Sequence, residues 1–271
     1  MNTNDINELV SVVIPTCDRG DLFYRALRSV IEQTYPNIEI IIVDDGSTRK
    51  VDISLVDFKE RSFILKRNEK KQGGAISRNL GAKCSSGKYI CFLDDDDYYY
   101  ADKIFVLMKE LIDNNNVDVV FGRLDKKSEP NRIVDTSCIS SEGFIFNKRF
   151  VRFMHTNTSL YRKDKFDLIK FDEELSKFQD TQLHIESIKY LNCKYIDKSV
   201  AYWNDNHGMG QITSMSGKEN HMRHIQNYLK LINNLRSRKS ISFSYSLYMR
   251  MKFIYKIILF VKSFHILPDI R

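Results

Sequence analysis

The first 125 residues alternate short, continuously apolar runs with segments whose apolar residues recur at helical spacing. Such uniformly apolar runs are typical of strands in a parallel sheet that helices cover on both faces. The predicted strands are 10–14, 38–43, 62–66, 89–93 and 117–122, and the predicted helices are 21–33, 74–84 and 101–114. The alternation predicts an α/β fold with a mostly parallel sheet.

The second half of the chain is less regular. Residues 123–158 are richer in Lys, Ser and Asn. At the end of this stretch begins a strand-like segment, 157–161. We expect a polar connection, then a helix at 180–191 and a strand at 194–203. Residues 218–262 have a helical pattern throughout, so a helical extension should follow the α/β region.

Acidic clusters follow two of the predicted strands. Asp44 and Asp45 come directly after the second strand, and Asp94, Asp95, Asp96 and Asp97 come after the strand at 89–93. Open α/β sheets bind ligands beyond the carboxyl ends of their strands. Four consecutive carboxylates repel one another unless a cation neutralises them, and such oxygen ligands suit Mg²⁺ or Mn²⁺. The alternative is that these residues cap helices and form turns.

Between the two acidic clusters lies a glycine-containing junction with an arginine. Gly73 and Gly74 precede the predicted helix that carries Arg78, so this helix start could meet an anion. No G-x-G-x-x-G follows the first strand and no G-x-x-x-x-G-K-[ST] occurs, which disfavours a dinucleotide-binding domain and a P-loop. A metal on a D-x-D element without these motifs points to sugar-nucleotide chemistry.

Four ordered motifs resemble the family 2 glycosyltransferases of GT-A fold. They are VVIPT (12–16), VDDGS (43–47), GAISRNLG (74–81) and GKYICFLDDDD (87–97). Their order and spacing match across about residues 9–125, and more loosely to about 215. The resemblance implies a GT-A fold and an inverting sugar transfer. It does not fix the sugar.

The resemblance also implies roles for residues in the first half. The expected nucleotide-sugar contacts are Pro15, Thr16, Cys17, Asp44, Asp45, Arg78, Asp94 and Asp95. Asp96 is the expected direct ligand of Mn²⁺ or Mg²⁺, which would neutralise the donor diphosphate. His207, in a stretch similar to the family's Y-R-x-H element, is the second expected metal ligand, although it could equally be an ordinary surface or core histidine.

The expected general base is Asp180. In the resembled family the base lies at a helix start after an F-D-E-x-L stretch, and Phe171 to Leu175 matches that stretch here. Gln179 stands where Glu is usual. Asp180 could also cap the helix, and the two roles are compatible. The Q-x-x-R-W motif is missing from the sequence, which disfavours a processive polysaccharide synthase.

The net charge of +7 resides in one segment. Residues 236–271 contain eight basic residues and one acid, whereas residues 1–235 are neutral. A nucleic-acid-binding protein would spread its positive charge over the body, so no nucleic acid partner is expected. The basic residues alternate with aromatic and aliphatic ones, which favours contact with an anionic membrane surface over packing on the body.

The remaining features concern location. The five cysteines lack C-x-x-C spacing and fit a reducing compartment. Residues 1–8 lack the pattern of an export signal, and the apolar run 253–261 is too short to span a bilayer. We therefore expect a cytoplasmic protein, and the resemblance implies that it is peripheral on the inner face of the bacterial inner membrane.

With the acidic strand ends and the stretch before Asp180, the resemblance implies a hexosyltransferase with inversion to a β-linkage. The expected donor is UDP-glucose or UDP-galactose. The resemblance further suggests a lipid-linked saccharide acceptor such as GlcNAc-diphosphate-undecaprenol, in O-antigen or capsule synthesis. The expected regions are 1–125 for the nucleotide-sugar, 126–217 for the acceptor and base, and 218–271 as a basic helical region. The alternative enzyme class is a sugar nucleotidyltransferase.

Overall fold

The computed structural model describes residues 7–126, 128–129, 133–205 and 218–263. Within these ranges eight strands form a single sheet. The strands are β1 (Val10–Thr16), β2 (Ile38–Asp44), β3 (Ser62–Arg67), β4 (Tyr89–Phe92), β5 (Tyr98–Tyr99), β6 (Val119–Lys126), β7 (Ser159–Arg162) and β8 (Cys193–Trp203). The helices are α1 (Asp21–Ile31), α2 (Gly74–Cys84), α3 (Lys103–Asp113), α4 (Lys163–Ile169), α5 (Gln179–Tyr190), α6 (Lys218–Ser237) and α7 (Phe243–Ser263).

The sheet has the order β3-β2-β1-β4-β7-β6-β8-β5. Its first four strands run parallel, and β6 is also parallel to β8. The strand β7 is antiparallel to both β4 and β6, and β5 is antiparallel to β8. The predicted α/β class with a mostly parallel sheet is confirmed, and the carboxyl ends of β2, β1 and β4 lie side by side.

Helices cover both faces of the sheet, as the uniformly apolar strands require. The helices α1 and α3 contribute Leu27, Val30 and Leu107 to a core on one face. On the other face α4 and α5 pack through Phe166 and Leu183. Because alternate residues of a strand point to opposite faces, each central strand supplies both cores.

Two elements were not predicted from the sequence. The helix α4 has seven residues, four of them charged, and its three apolar residues, of which only Phe166 and Ile169 are buried, are too few to show a helical period. The strand β5 has two residues, which is shorter than any pattern can reveal. Residues 157–158 belong to a 3₁₀ turn rather than to the strand, so β7 begins at Ser159.

The chain divides near residue 209 into two compact units. In the second unit α6 and α7 pack together, with the rings of Tyr228 and Phe253 stacked at 4.2 Å between centroids. The predicted helical C-terminal extension is therefore confirmed over 218–263. None of the helices in the described ranges has the length and apolar character needed to cross a membrane. The boundaries 1–125, 126–217 and 218–271 stay predictions.

Candidate active site

The first strand ends where the nucleotide contacts were expected. Pro15 and Thr16 are the last two residues of β1, and both are buried. The backbone N–H of Cys17 donates to Oδ2 of Asp95 at 3.2 Å, and that of Asp45 donates to the carbonyl of Thr16 at 2.8 Å. The structure thus brings the ends of β1, β2 and β4 together, while contact of these residues with a nucleotide stays a prediction.

Asp44 and Asp45 are both buried at this edge, and each is held by neighbouring loops. Asp44 accepts a hydrogen bond from Ser47 N at 2.8 Å and forms an ion pair with Arg67. Burial raises the pKa of Asp44, but these hydrogen bonds outweigh it and hold the pKa below its ordinary value. The turn-forming role left open by the sequence therefore describes Asp44, and its nucleotide role stays a prediction.

Asp45 connects β2 to the loop before α2. Its carboxylate accepts from Gln72 N at 2.9 Å and from Gly73 N at 2.8 Å. The two loops approach so closely that a Cβ at Gly46 would lie 2.6 Å from Lys71 N, and Gly46 has φ +74°. Glycine is required there on both counts.

The four aspartates of the run 94–97 have different surroundings. The carboxylate of Asp95 accepts a hydrogen bond from Nε of Arg19 at 3.0 Å, and the carboxylate of Asp96 lies 3.2 Å from Nη2 of the same arginine. Burial raises the pKa of Asp95 to about 6, although Arg19 opposes the rise. Arg19 therefore neutralises the middle of the run in this structure.

Asp97 is the most deeply buried member of the run. Its Oδ1 accepts from Asn204 N at 2.8 Å, and its Oδ2 accepts from Nδ2 of Asn157. Burial, followed by the charges of Asp94 and Asp96, raises the pKa of Asp97 to about 9. A buried carboxylate beside like charges is a site that a cation would stabilise.

Arg78 connects the acidic run to the expected base. From the buried face of α2, it forms an ion pair with Asp94 through Nη2 and donates through Nη1 to Oε1 of Gln179 at 3.2 Å. Its guanidinium carbon lies 5.3 Å from the centre of the Phe171 ring. Gln179, which stands where Glu is usual, thus binds Arg78.

Asp180 is the second residue of α5. Phe178, two residues before Asp180, adopts a left-handed conformation with φ +66° and turns the chain into the helix. Burial raises the pKa of Asp180, but the charges of Arg78 and His155 outweigh it, and the pKa lies below its ordinary value. The structure therefore holds Asp180 ionised within reach of the positive groups of the site.

Two histidines near Asp180 were not singled out in the sequence. His155 begins a 3₁₀ turn, where its Nδ1 accepts from Asn157 N at 3.2 Å, and its ring lies 5.9 Å from that of Trp203. His184 is fully buried one helical turn after Asp180, and burial lowers its pKa to about 4. His184 is consequently neutral at physiological pH.

The donor atoms of Asp94, Asp97 and His155 lie within 4.8 Å of one another. Two carboxylates and an imidazole fit a divalent cation such as Mn²⁺. This set differs from the expected ligands, because Asp96 pairs with Arg19 here and His207 lies outside the described residues. The structure thus offers a second possible ligand set beside the first.

The acidic run at the carboxyl ends of a mostly parallel sheet, and Asp180 at the start of α5, fit the GT-A fold that the sequence motifs imply. The family model of Glycosyl transferase family 2 matches residues 11–170, which is more than half of the chain. The chain therefore belongs to glycosyl transferase family 2.

Curated relatives include proteins of this family from bacteria. An uncharacterized glycosyltransferase of Rickettsia prowazekii is 29% identical over 209 residues, which are 76% of this chain and 58% of the relative. The Escherichia coli protein named UDP-Glc:alpha-D-GlcNAc-diphosphoundecaprenol beta-1,3-glucosyltransferase WfgD is 31% identical over 117 residues, 43% of this chain and 46% of the relative. The chain spans less than two thirds of the length of these relatives.

Solved structures of similar fold have lower identity. Staphylococcus aureus TarS 1-349 in complex with UDP-GlcNAc has a TM-score of 0.63 at 22% identity, covering 83% of this chain and 66% of that one. The mannosyltransferase PcManGT from Pyrobaculum calidifontis, in complex with GDP-Man and Mn²⁺, has a TM-score of 0.63 at 15% identity, covering 84% and 64%. At these identities the likeness establishes the fold.

Proposed function

We propose that this chain transfers a hexose, glucose or galactose, from a UDP-sugar to a lipid-diphosphate-linked sugar with inversion to a β-linkage. The proposal rests mainly on the contacts of Arg78, which binds both Asp94 of the acidic run and Gln179, the neighbour of Asp180. One guanidinium thereby holds the expected diphosphate region and the expected base at a single site. Inverting transfer requires these two features to face the same anomeric carbon.

The donor and acceptor are supported by the names of the relatives. WfgD is named as a UDP-Glc-dependent glucosyltransferase acting on GlcNAc-diphosphoundecaprenol, and TarS was crystallised with UDP-GlcNAc. We therefore propose UDP-glucose or UDP-galactose as donor and a GlcNAc-diphosphate-undecaprenol type of acceptor. The product would serve O-antigen, lipopolysaccharide or capsule biosynthesis.

The donor would lie along the carboxyl ends of β2, β1 and β4. We propose that Pro15, Thr16 and Cys17 line the nucleotide pocket, with Asp44 or Asp45 towards the uridine or ribose. Asp94 and Asp95 would face the ribose or sugar. Arg19 covers Asp95 and Asp96 in the structure, so donor binding would require this arginine to exchange its partners.

A bound Mn²⁺ or Mg²⁺ would neutralise the donor diphosphate and stabilise UDP as it leaves. We propose Asp96 and His207 as its ligands from the sequence, and Asp94, Asp97 and His155 as the alternative set. The two sets have no residue in common. They make different predictions for the variants of His155 described below.

We propose that Asp180 is the general base. Its low pKa keeps the carboxylate ionised at neutral pH, ready to accept the proton of the acceptor hydroxyl. As that proton moves to Asp180, the hydroxyl oxygen forms a bond to the anomeric carbon and the bond from that carbon to UDP breaks. Attack from the face opposite UDP inverts the configuration and gives the β-linkage.

We propose further that the enzyme acts at the cytoplasmic face of the inner membrane. The basic region 218–271 would contact the anionic membrane surface, while residues 1–125 bind the nucleotide-sugar and 126–217 supply the acceptor site and base. A lipid-linked acceptor remains in the bilayer, so an enzyme that binds this surface would meet its substrate there.

A panel of UDP-sugars tests the proposal. Each donor is offered with a GlcNAc-diphosphate-lipid acceptor, with and without Mn²⁺, and the anomeric configuration of the product is determined. Asp180→Asn should lower kcat by about 10²- to 10⁴-fold with little change in donor binding. Asp164→Asn, an exposed carboxylate change on α4, is the control. Full activity of Asp180→Asn, or an α-linked product, would overturn the assignment.

A further inference from the structure

The outer side of α7 carries a concentration of exposed apolar side chains. Six large residues of this helix are each between 49% and 70% exposed. They are Phe243, Leu247, Tyr248, Met251, Ile254 and Tyr255. We call these six residues the α7 face. Contiguous apolar surface of this kind marks an interaction site.

The α7 face occupies one side of the helix. At the rotation of an α-helix, its six residues fall within an arc of about 140°. The opposite side carries Met249 and Phe253, which are buried, and Phe253 stacks on Tyr228 of α6. The helix therefore has one side packed on α6 and another apolar side that is exposed.

Basic residues border the α7 face on both sides. Arg250 and Lys252 lie just beyond the two edges of the arc, and Nζ of Lys252 is 5.8 Å from the centre of the Tyr248 ring. At the start of the helix, the guanidinium carbon of Arg236 is 5.5 Å from the Phe243 ring. The segment 237–263 contains no acidic residue. The charges that the segment 237–263 and Arg236 bring to the face are thus positive.

We propose that the α7 face lies in the interface of an anionic bilayer, with its apolar side chains inserted among the lipids. This inference rests on the proposed lipid-linked acceptor and specifies how the enzyme meets it. Lys and Arg at the borders would reach lipid phosphates while their aliphatic stems remain against apolar surface. Tyr248 and Tyr255 suit the headgroup level, where one end of a side chain is apolar and the other wet.

A second copy of this chain fits the α7 face less well. Two such faces packed against each other would bring Arg250, Lys252 and Arg236 towards the same residues of the other copy. No acidic residue of 237–263 is available to pair with them. An anionic lipid surface supplies the missing negative charge, whereas self-association leaves like charges together.

The test is co-sedimentation of the full chain with vesicles of phosphatidylcholine alone and of phosphatidylcholine mixed with phosphatidylglycerol. Leu247→Gln/Met251→Gln removes apolar surface without changing charge. We expect it to lower the partition coefficient on the mixed vesicles by at least about tenfold, since two half-exposed apolar side chains no longer insert. Lys252→Gln should reduce only the preference for phosphatidylglycerol.

Asp164→Asn, an exposed change on α4, serves as the control for altered charge outside the region 218–271. Binding of Leu247→Gln/Met251→Gln equal to that of the unchanged chain would overturn the inference. So would loss of self-association by this variant in lipid-free sedimentation, because the face would then serve a second copy. Transfer to a short-chain, water-soluble acceptor is measured in parallel. If the unchanged chain transfers sugar to this acceptor but does not bind the vesicles, the membrane role of the α7 face is wrong and the proposed transfer is unaffected.

Discussion

The two ends of the sheet each bury carboxylates, but in opposite ways. Near the amino ends of the strands, Glu39 of β2 accepts hydrogen bonds from Ser86 N at 2.6 Å, Gly87 N at 2.8 Å and the hydroxyl groups of Ser11 and Ser86. Burial raises the pKa of Glu39, but these neutral donors outweigh it and the pKa falls. At the carboxyl ends, burial and like charges raise the pKa of Asp97 to about 9.

The difference distinguishes a structural carboxylate from a functional one. Glu39 has a full set of fixed donors, so its negative charge stabilises the joint between α2 and β4. The run 94–97 concentrates more negative charge than its arginines and amides compensate, which favours a ligand that brings positive charge. The same chemical group, a buried carboxylate, therefore stabilises the fold at one edge, whereas at the other edge we propose that it binds substrate or metal.

The largest expected effect is at the functional edge. Asp96→Asn should lower kcat by about 10³-fold, because a carboxylate ligand of the metal that would neutralise the diphosphate is lost. The free energy of unfolding should change by less than about 0.5 kcal/mol, since the substitution also relieves repulsion within the run. Steady-state kinetics and urea unfolding measure the two quantities. Loss of stability with full activity would make Asp96 a structural residue like Glu39.

Glu39→Gln should have the reverse profile. A side-chain NH₂ would meet backbone donors, and we expect a loss of about 2–4 kcal/mol in the free energy of unfolding. The kcat of the folded fraction should remain unchanged, as the residue lies at the other end of the sheet. Urea unfolding with Asp164→Asn as control tests this. A stability equal to that of the control would remove the contrast between the two edges.

His155→Ala separates the two proposed ligand sets. If Asp94, Asp97 and His155 hold the cation, this variant should weaken Mn²⁺ binding by about 10- to 100-fold. His207→Ala should then have little effect. If Asp96 and His207 are the ligands, His207→Ala should weaken Mn²⁺ binding and His155→Ala should have little effect. Titration calorimetry with Mn²⁺ and UDP distinguishes the cases without relying on transfer activity.

Lys103 extends the comparison to a buried base. It is fully buried at the start of α3, its Nζ lies 3.3 Å from the centre of the Tyr99 ring, and that nitrogen has no hydrogen-bond partner among the described residues. Burial lowers its pKa from 10.5 to about 7. Between pH 7 and pH 10.5, Lys103 is protonated in the unfolded chain but neutral in the folded protein. The free energy of unfolding should therefore rise with pH in this range.

The slope from this one group is at most about 1.4 kcal/mol per pH unit. Lys103→Met should remove this slope. The free energy of unfolding of the variant should then change less between pH 7 and pH 10 than that of the unchanged chain. Urea unfolding across that range measures the difference, and Lys165→Met on α4 is the control. An unchanged slope in Lys103→Met would mean that Lys103 is charged in the folded protein.

The sequence predicts most of the fold because the buried strands are continuously apolar and the helices between them have one apolar side. It also places the acidic run and Asp180, since strand ends and an F-D-E-x-L stretch have recognisable patterns. Arg19, His155 and Asn157 have no such pattern. They lie in loops and a 3₁₀ turn, and only the folding of distant segments brings them to the run.

The contact between Asn157 and the acidic run has a consequence for the growing chain. The amide of Asn157 accepts from Asp94 N at 3.0 Å and donates to Asp97, yet it is synthesised some 60 residues after them. The strands β1 to β4 can pair before the ribosome reaches residue 157, but Asp94 and Asp97 then lack the amide of Asn157. Asp97 also accepts from the backbone N–H of Asn204, and the expected base Asp180 lies in α5, so the site is completed only after synthesis has passed β8.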